Sequence, residues 1–229
     1  MLETLASGFG ESLHKVVFIG GATLSLYVTD RSAPECHPSG DIDGIVGGSS
    51  MIEFLEFQQI IEKKGFKRMK LSRPGAEQWM YEGIKVRLMP MNTEKIGFTN
   101  RWYEEGVFHA RTYRLPGGRP IRIFMPAYFM ASKIDAFLNR GGTDLRMSED
   151  FQDLVYLLDN RQEILDDIQQ AFYEVRSYIQ QQFARFLTLS HLDEGIAYAL
   201  PDSFDEENIL RIRQIMEKIA TPKIASVRA

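Results

Sequence analysis

Two short motifs in the first quarter of the chain carry residues that could do chemistry together. Gly20-Gly21 follows the apolar run Val16–Ile19, and Asp41-Ile42-Asp43 begins a second apolar run. Side chains alternate between the faces of a strand, so Asp41 and Asp43 project the same way while Ile42 turns into the core. Two neighbouring carboxylates repel each other unless a cation lies between them, which suits Mg²⁺ with its oxygen ligands. The aspartates therefore predict a metal site.

The glycine pair suits a phosphate. Gly20 and Gly21 have no Cβ, so they allow a tight turn from strand to helix that brings backbone N–H groups close to a phosphate. The run Val16–Ile19 is typical of a buried strand, and Ala22–Tyr27 of the helix that follows it. Alone, each motif is more often a plain turn or an exposed strand end. Their order predicts that a phosphate site and a metal site share one cleft.

These motifs resemble those of the nucleotidyltransferases of the DNA polymerase β superfamily, and within it the AbiEii/AbiGii-like toxin group. That pattern is a Gly-Gly or Gly-Ser pair, a helix and an Asp-x-Asp strand, here with a longer gap between the two motifs. The resemblance covers about Phe18 to Arg161. Further segments that carry it are Leu88-Met89-Pro90, Gly97–Tyr103, Pro126–Lys133 and Ser148–Asp153.

The resemblance implies transfer of a nucleoside monophosphate from an NTP to an acceptor hydroxyl. The catalytic residues that it implies are Asp41, Asp43 and Lys133, with the two aspartates as ligands of Mg²⁺ or Mn²⁺. The nucleotide-binding residues that it implies are Gly20, Gly21, Thr23 and Lys133. It also implies RNA, tRNA in particular, as the acceptor, a toxin–antitoxin or phage-defence context, and an antitoxin protein as partner.

Arg87 departs from the family pattern. The resemblance places a third carboxylate two residues before Met89-Pro90, where this chain has Arg87. A guanidinium stays protonated and cannot ligate Mg²⁺, so we expect Arg87 to pair with Asp41 or Asp43 in the place of the cation. Glu82, the nearest other acid, lies too far along the strand. Arg87 thus supports an alternative function, a catalytically degenerate nucleotide-binding or protein-interaction module with the same fold.

Lys133 belongs to a predicted helix with several acids nearby. The resemblance places a lysine here that reaches the nucleotide phosphates, a task that suits an ammonium group. The residues alone favour a surface lysine paired with Asp135. Asp150 and Asp153 are three residues apart on one helix face and can act together. We interpret them as support for Lys133 or Arg140 rather than as catalytic groups.

Other residues leave their alternatives open. A basic run could contact an RNA backbone, but a solvated helix end and an edge strand explain it equally well. This run comprises Lys63, Lys64, Lys67, Arg68, Lys70 and Arg73. Trp79 is expected in the core, whereas Arg101 beside Trp102 and Tyr103 could line a cleft. His37 lies near Asp41, but the histidines have no metal-ligand spacing.

The composition is that of an ordinary globular protein. The chain has 229 residues, 44% of them hydrophobic and 25% charged, and a net charge of −4 gives no global attraction to nucleic acid. Cys36 is the only cysteine, which fits a reducing compartment. No apolar run reaches the length of a membrane span. We therefore predict a cytoplasmic protein without a membrane partner.

The pattern of elements predicts an α/β fold of the α+β kind, a nucleotidyltransferase-type mixed sheet flanked by helices. The core is expected over 1–125 and a helical region over 126–229. Predicted helices span 2–13, 51–64, 127–139, 149–158, 162–187 and 205–220, the last with a capping box at Ser203. Predicted strands span 16–19, 41–46, 66–71, 78–81, 84–89, 111–115 and 121–124.

Overall fold

The computed structural model describes residues 1–36, 40–48, 50–69, 77–91, 100–142, 144–201 and 205–221. Within these residues the chain divides into two compact units. The first comprises Met1–Leu26 and His37–Phe129, and the second comprises Tyr27–Cys36 and Met130–Ala229. Sequence reasoning places the division at residue 126 and does not foresee that Tyr27–Cys36 belongs with the C-terminal helices.

The first unit contains a seven-stranded mixed sheet. Its strands are β1 (Val16–Ile19), β2 (Ile42–Val46), β3 (Lys67–Arg68), β4 (Glu77–Tyr81), β5 (Ile84–Pro90), β6 (Arg111–Arg114) and β7 (Pro120–Ile123). Their order across the sheet is β3-β4-β5-β2-β1-β7-β6. Neighbours pair in antiparallel fashion except for β1 with β7 and β2 with β5, which are parallel. The predicted α+β class, with a mixed sheet and a helical C-terminal region, is confirmed.

Helices α1 (Leu2–Phe9), α2 (Met51–Lys63) and α3 (Tyr103–Phe108) also belong to this unit. Aromatic rings join the first two helices to the sheet. The Phe9 ring centroid lies 6.2 Å from that of Phe18 on β1 and 6.0 Å from that of Phe57 on α2. Phe66 stacks on Phe9 at 4.7 Å. These rings bury a large apolar area and fix the helices to β1.

The second unit is helical. It contains most of α4 (Pro126–Asn139), then α5 (Glu149–Asn160), α6 (Ile164–Gln169), α7 (Tyr173–Phe186), α8 (Leu192–Ala199) and α9 (Glu206–Ala220). Phe151 and Phe186 pack edge to face at 5.7 Å, and Phe186 also contacts Phe137 and Phe183. This aromatic cluster forms the core of the helical unit.

The segment Tyr27–Cys36 is bonded to the helices of its own unit. The guanidinium of Arg161 is buried, donates to the Tyr27 carbonyl at 2.7 Å and forms a two-point contact with Asp167. The Tyr156 hydroxyl donates to the Pro34 carbonyl at 2.7 Å. The carbonyls of Tyr27 and Pro34 are therefore bonded by Arg161, which follows α5, and by Tyr156 on α5, while Asp167 on α6 restrains the Arg161 guanidinium.

Several predicted elements differ from those observed. The helix expected over 162–187 is wrong, because Phe172 is extended, with φ −56° and ψ 148°, and separates α6 from α7. The first helix ends at Phe9 and continues as a 3₁₀ segment from Gly10, whose φ is +53°. The helix expected after the glycines is a 3₁₀ segment, Gly21–Tyr27. Ser203 lies outside the described residues, and the α9 N-cap is Asp205.

Candidate functional site

Gly20 and Asp43 meet where β1 ends and β2 begins. The antiparallel register pairs Ile19 with Asp43, so the residue after Ile19 lies beside that carboxylate. Gly20 has φ +75°, a conformation that strains any residue with a Cβ. A Cβ built there would lie 3.1 Å from Oδ2 of Asp43. Backbone angle and space both favour glycine at this turn.

The Asp-x-Asp motif lies at the start of β2. Ile42 is buried and Asp43 is partly exposed, as strand alternation predicts. Asp41 is half-buried and immediately precedes the first residue of the strand. The structure thus brings Asp43 against the Gly20 turn and places Asp41 at the start of the same strand.

Arg87 is the register partner of Asp43 on the neighbouring parallel strand. Its Nε lies 2.9 Å from Oδ1 of Asp43, with 32% of the Arg87 side chain and 26% of the Asp43 side chain exposed. The contact is an ion pair, since the Nε–H bond is not aligned with the oxygen. The pairing that the sequence predicts for Arg87 is therefore present.

This arrangement does not fit a magnesium site of the family type. Arg87 occupies the position at which the resemblance places a third carboxylate, and its guanidinium contacts Asp43, one of the two acids of the Asp-x-Asp motif. Within the described residues, no three His, Cys, Asp or Glu side chains are placed to share a metal ion. Mg²⁺ is bound by negatively charged carboxylate oxygens. The positive charge of Arg87 beside Asp43 therefore lowers the affinity of the site for Mg²⁺.

Gln78 is a site residue that sequence reasoning missed. The antiparallel register of β4 and β5 pairs it with Arg87, which in turn pairs with Asp43 on β2. Directly paired residues in a sheet lie side by side on one face. Gln78, Arg87 and Asp43 consequently form a polar row across three strands. Only the strand register reveals the row, and the sequence of β4 alone gives no sign of it.

The hydroxyl of Thr23 stabilises the glycine turn. Thr23 is buried, and its Oγ1 donates to the Gly20 carbonyl at 2.9 Å. Its backbone N–H donates to the same carbonyl at 3.0 Å. Gly21 is the first residue of the 3₁₀ segment. The turn is thus fixed from within by a side chain for which the resemblance implied a nucleotide contact.

Lys133 lies in a cluster of charges in the helical unit. Its Nζ lies 3.1 Å from Oδ1 of Asp150 and 2.5 Å from Oδ2 of Asp153, with 12% of the lysine side chain exposed. Burial disfavours the ammonium, but Asp153 and Asp150 outweigh it and raise the pKa of Lys133. Burial likewise raises the pKa of Asp153, although Lys133 opposes that shift. These contacts hold α4 to α5.

Asp150 also binds the end of α4. Nη1 of Arg140 donates to its Oδ2 at 2.7 Å, while Asp150 itself is almost fully buried. Both carboxylate oxygens therefore accept from cations at α4 and its C-terminal end. Asp150 thus contacts both of the cations, Lys133 and Arg140, that we interpret it as supporting. Asp135 accepts a hydrogen bond from Nδ2 of Asn139 at 3.0 Å.

The remaining candidates are mostly structural. Trp79 is fully buried, as predicted. Trp102 and Tyr103 are also buried, and the Arg101 guanidinium lies 4.9 Å from the Trp102 ring centroid. Of the basic run, Lys64 donates to the Phe9 carbonyl, and Arg68 contacts Gln58 and Glu77. His37, Lys70, Arg73 and Gly97–Thr99 lie outside the described residues.

Fold and site together define an α+β protein whose mixed sheet brings a glycine turn against an Asp-x-Asp strand. The chain is similar in structure to JHP933 from Helicobacter pylori, known from its crystal structure. The TM-score is 0.50 and the sequence identity is 11%, over 96% of this chain and 88% of that one. At this identity the likeness concerns the fold alone.

Sequence comparison adds no relative. No protein-family model matches the chain, and no curated protein matches it either. None of the helices in the described ranges combines the length and apolar character needed to cross a bilayer. The residues around Asp43 are therefore the basis on which a function can be inferred.

Proposed function

We propose that this protein binds a nucleotide at a nucleotidyltransferase-type site and acts as a nucleotide-binding or protein-interaction module rather than as a metal-dependent transferase. The observation that carries the proposal is the ion pair between Arg87 and Asp43, 2.9 Å apart at the position where the resemblance places a third carboxylate. An arginine at this position lowers the affinity for Mg²⁺ and raises the affinity for phosphate.

The charges explain the opposite responses. Three carboxylates would place three negative charges in the cleft, whereas Asp41, Asp43 and Arg87 together leave one. Coulomb attraction for a divalent cation falls accordingly, and an oxygen ligand is lost as well. Arginine in place of a third carboxylate also lowers the electrostatic repulsion of a polyphosphate. A nucleotide is therefore repelled less here than in a metal-free site with three acids.

The glycine turn supports a nucleotide as the ligand. Gly20 brings backbone without a Cβ against Asp43, next to the paired arginine. Close approach of backbone to a ligand is a common reason for glycine at such a turn. The contact with Asp43 accounts for glycine at this turn, and the family resemblance is what favours a phosphate-bearing small molecule beside it.

A second candidate function is the one that the resemblance implies directly. It is the transfer of a nucleoside monophosphate from an NTP to an acceptor hydroxyl, with tRNA as acceptor, in a toxin–antitoxin or phage-defence context. The retained Asp41-Ile42-Asp43 motif, with Asp43 against the Gly20 turn, favours it. The missing third carboxylate opposes it.

One pair of measurements separates the two candidates. Calorimetric titration with each of the common NTPs, in EDTA and in Mg²⁺, reports binding. Incubation of labelled NTPs with bulk tRNA reports transfer, with Asp43→Asn as the variant that removes the strand acid. We expect nucleotide binding without transfer. Mg²⁺-dependent transfer that Asp43→Asn abolishes would establish the second candidate, and absence of both binding and transfer would overturn the two together.

A further inference from the structure

We infer that Arg87 is itself a phosphate-binding residue, so that this protein recognises the polyphosphate of a nucleotide without a metal ion. The inference rests on the proposed nucleotide binding and assigns the residue that receives the phosphates. Arginine offers five N–H donors in a rigid plane and binds phosphate with two parallel hydrogen bonds. The ligand class is a nucleoside diphosphate or triphosphate.

The contacts of Arg87 leave most of its donors available. The guanidinium faces Asp43 through Nε, with the ion pair at 2.9 Å. Among the described residues, neither Nη1 nor Nη2 has an acceptor in the protein. Roughly a third of the side chain is exposed, so a ligand can reach these two nitrogens. The four N–H bonds of Nη1 and Nη2 are thus available on a group whose Nε edge is already held.

The position of Arg87 makes it a prepared donor. It lies on β5, between β2 and β4, so its backbone is hydrogen-bonded within the interior of the sheet. Asp43 restrains the guanidinium from one side. On the other side its register partner is Gln78, an uncharged amide that does not compete for the positive charge. A restrained side chain loses less freedom when a ligand binds, which strengthens binding.

The neighbouring turn lies directly against the acid of the ion pair. A Cβ on Gly20 would be 3.1 Å from Oδ2 of Asp43, so the absence of a side chain lets the backbone approach Asp43. Asp43 neutralises Arg87 in part, and Asp41 adds a negative charge that opposes any phosphate. The preference for several phosphate groups comes instead from hydrogen bonding, because a polyphosphate offers more acceptor oxygens to the N–H bonds of Nη1 and Nη2 than a single phosphate does. We expect affinity to increase from AMP to ADP to ATP, with adenosine weakest.

The test is calorimetric titration in excess EDTA, with ATP, adenosine and inorganic tripolyphosphate as probes. Arg87→Gln removes the donors and should weaken ATP and tripolyphosphate binding roughly 10- to 100-fold, the usual effect of losing a charge-assisted hydrogen bond. The matched control is Lys85→Gln, which removes one positive charge from an exposed residue two positions earlier on the same strand. Lys85→Gln should change the affinity for ATP and tripolyphosphate less than about twofold if the phosphates contact Arg87 directly. A larger change would indicate that the overall positive charge of the strand attracts them.

The outcomes distinguish this inference from the proposed function. ATP binding that requires Mg²⁺, or that is equal in wild type and Arg87→Gln, would overturn the role of Arg87 and leave nucleotide binding intact. Arg87-dependent binding of tripolyphosphate with no added affinity for ATP would support the phosphate site and refute the nucleotide. No binding of any probe would refute both. Arg87→Lys, which keeps the charge but not the planar fork, should bind with intermediate affinity and provides the test if Arg87→Gln does not fold.

Discussion

Gly20 and Asp43 lie so close that a Cβ on the glycine would be 3.1 Å from Oδ2 of the carboxylate. Gly20 also has φ +75°, where a residue with a Cβ is strained. The position of Asp43 on β2 thus requires glycine at the residue that follows β1. A side chain at position 20 would disturb both the backbone and the position of the carboxylate.

Gly20→Ala should therefore lower both stability and nucleotide affinity. The left-handed backbone alone costs about 1–2 kcal/mol for a residue with a Cβ. Displacement of Asp43 would further disturb its ion pair with Arg87. The control is Gly83→Ala, since Gly83 has φ +79° but no atom within 4 Å of a Cβ built there. Urea unfolding should show a similar backbone cost in both variants, and calorimetry should show weaker ATP binding only in Gly20→Ala. Equal affinity in the two variants would contradict the role of this contact.

Lys133→Met should destabilise the helical unit. The change removes the cation between Asp150 and Asp153, and Asp150 is almost fully buried. Breaking a buried ion pair by removing one partner typically costs about 3–5 kcal/mol, because the other charge is left uncompensated. Arg140 still contacts Asp150, so we expect the lower part of that range.

The control for this prediction is Lys218→Met, an exposed lysine in the last turn of α9. Surface substitutions of this kind usually change stability by less than about 0.5 kcal/mol. Urea unfolding monitored by circular dichroism measures both variants. A loss below about 1 kcal/mol in Lys133→Met, well under the usual cost of breaking a buried pair, would show that the cluster contributes little to the fold. It would also favour a ligand-binding role for the lysine.

The stability difference between wild type and Lys133→Met should depend on pH. The pKa of Lys133 is raised above its ordinary value of 10.5, so its contribution is complete below that pH and is lost as pH rises through the folded-state pKa. On the acid side, burial raises the pKa of Asp153, so its ion pair with Lys133 weakens as pH falls and that carboxylate is protonated. The difference should therefore be largest near neutral pH and narrow above pH 10.5. Urea unfolding at about pH 5, about pH 8 and about pH 11.5, chosen around the ordinary pKa values of aspartate and lysine, measures it. A constant difference would contradict the assignment.

Local patterns predict the elements that carry the site. The strand Val16–Ile19 is observed as expected, and Ile42–Val46 differs from its prediction by one residue. These strands are short apolar runs bounded by Gly20 and Asp41, so periodicity and turn residues identify them. Sequence reasoning merges α6 with α7 because neither glycine nor proline marks the break at Phe172. The break consists of the extended backbone of Phe172, which no residue type in this stretch indicates.

The site itself is predictable only in part. The Arg87–Asp43 pair follows from aligning a motif with a known pattern, because both residues lie on predicted strands. Gln78 escapes prediction because its place depends on the pairing of β4 with β5. Helix spacing indicates the partners of Lys133, since Asp150 and Asp153 share one face of α5. Spacing within an element is informative, whereas pairing between elements is not visible in the sequence.

Arg87→Asp should create a metal site where the protein now has an ion pair. The change replaces a cation by an oxygen ligand and alters the local charge by two units, so Mn²⁺ affinity should increase. Without metal, the introduced carboxylate and Asp43 would repel each other across the paired strands, so the variant should be less stable until Mn²⁺ is added. Electron paramagnetic resonance of Mn²⁺ and thermal unfolding with and without the ion measure the two effects.

The control for Arg87→Asp is Lys85→Asp, which makes the same charge change at an exposed residue of the same strand. It should not acquire comparable Mn²⁺ binding if the ligand geometry around Asp43 is what matters. A labelled-NTP assay on bulk tRNA then shows whether Arg87→Asp gains transferase activity. Equal Mn²⁺ binding by Arg87→Asp and Lys85→Asp would show that the change in net charge, and not the ligand geometry around Asp43, causes the binding. Robust transfer by the unmodified protein, abolished by Asp43→Asn, would instead show that the missing carboxylate is supplied elsewhere in the chain.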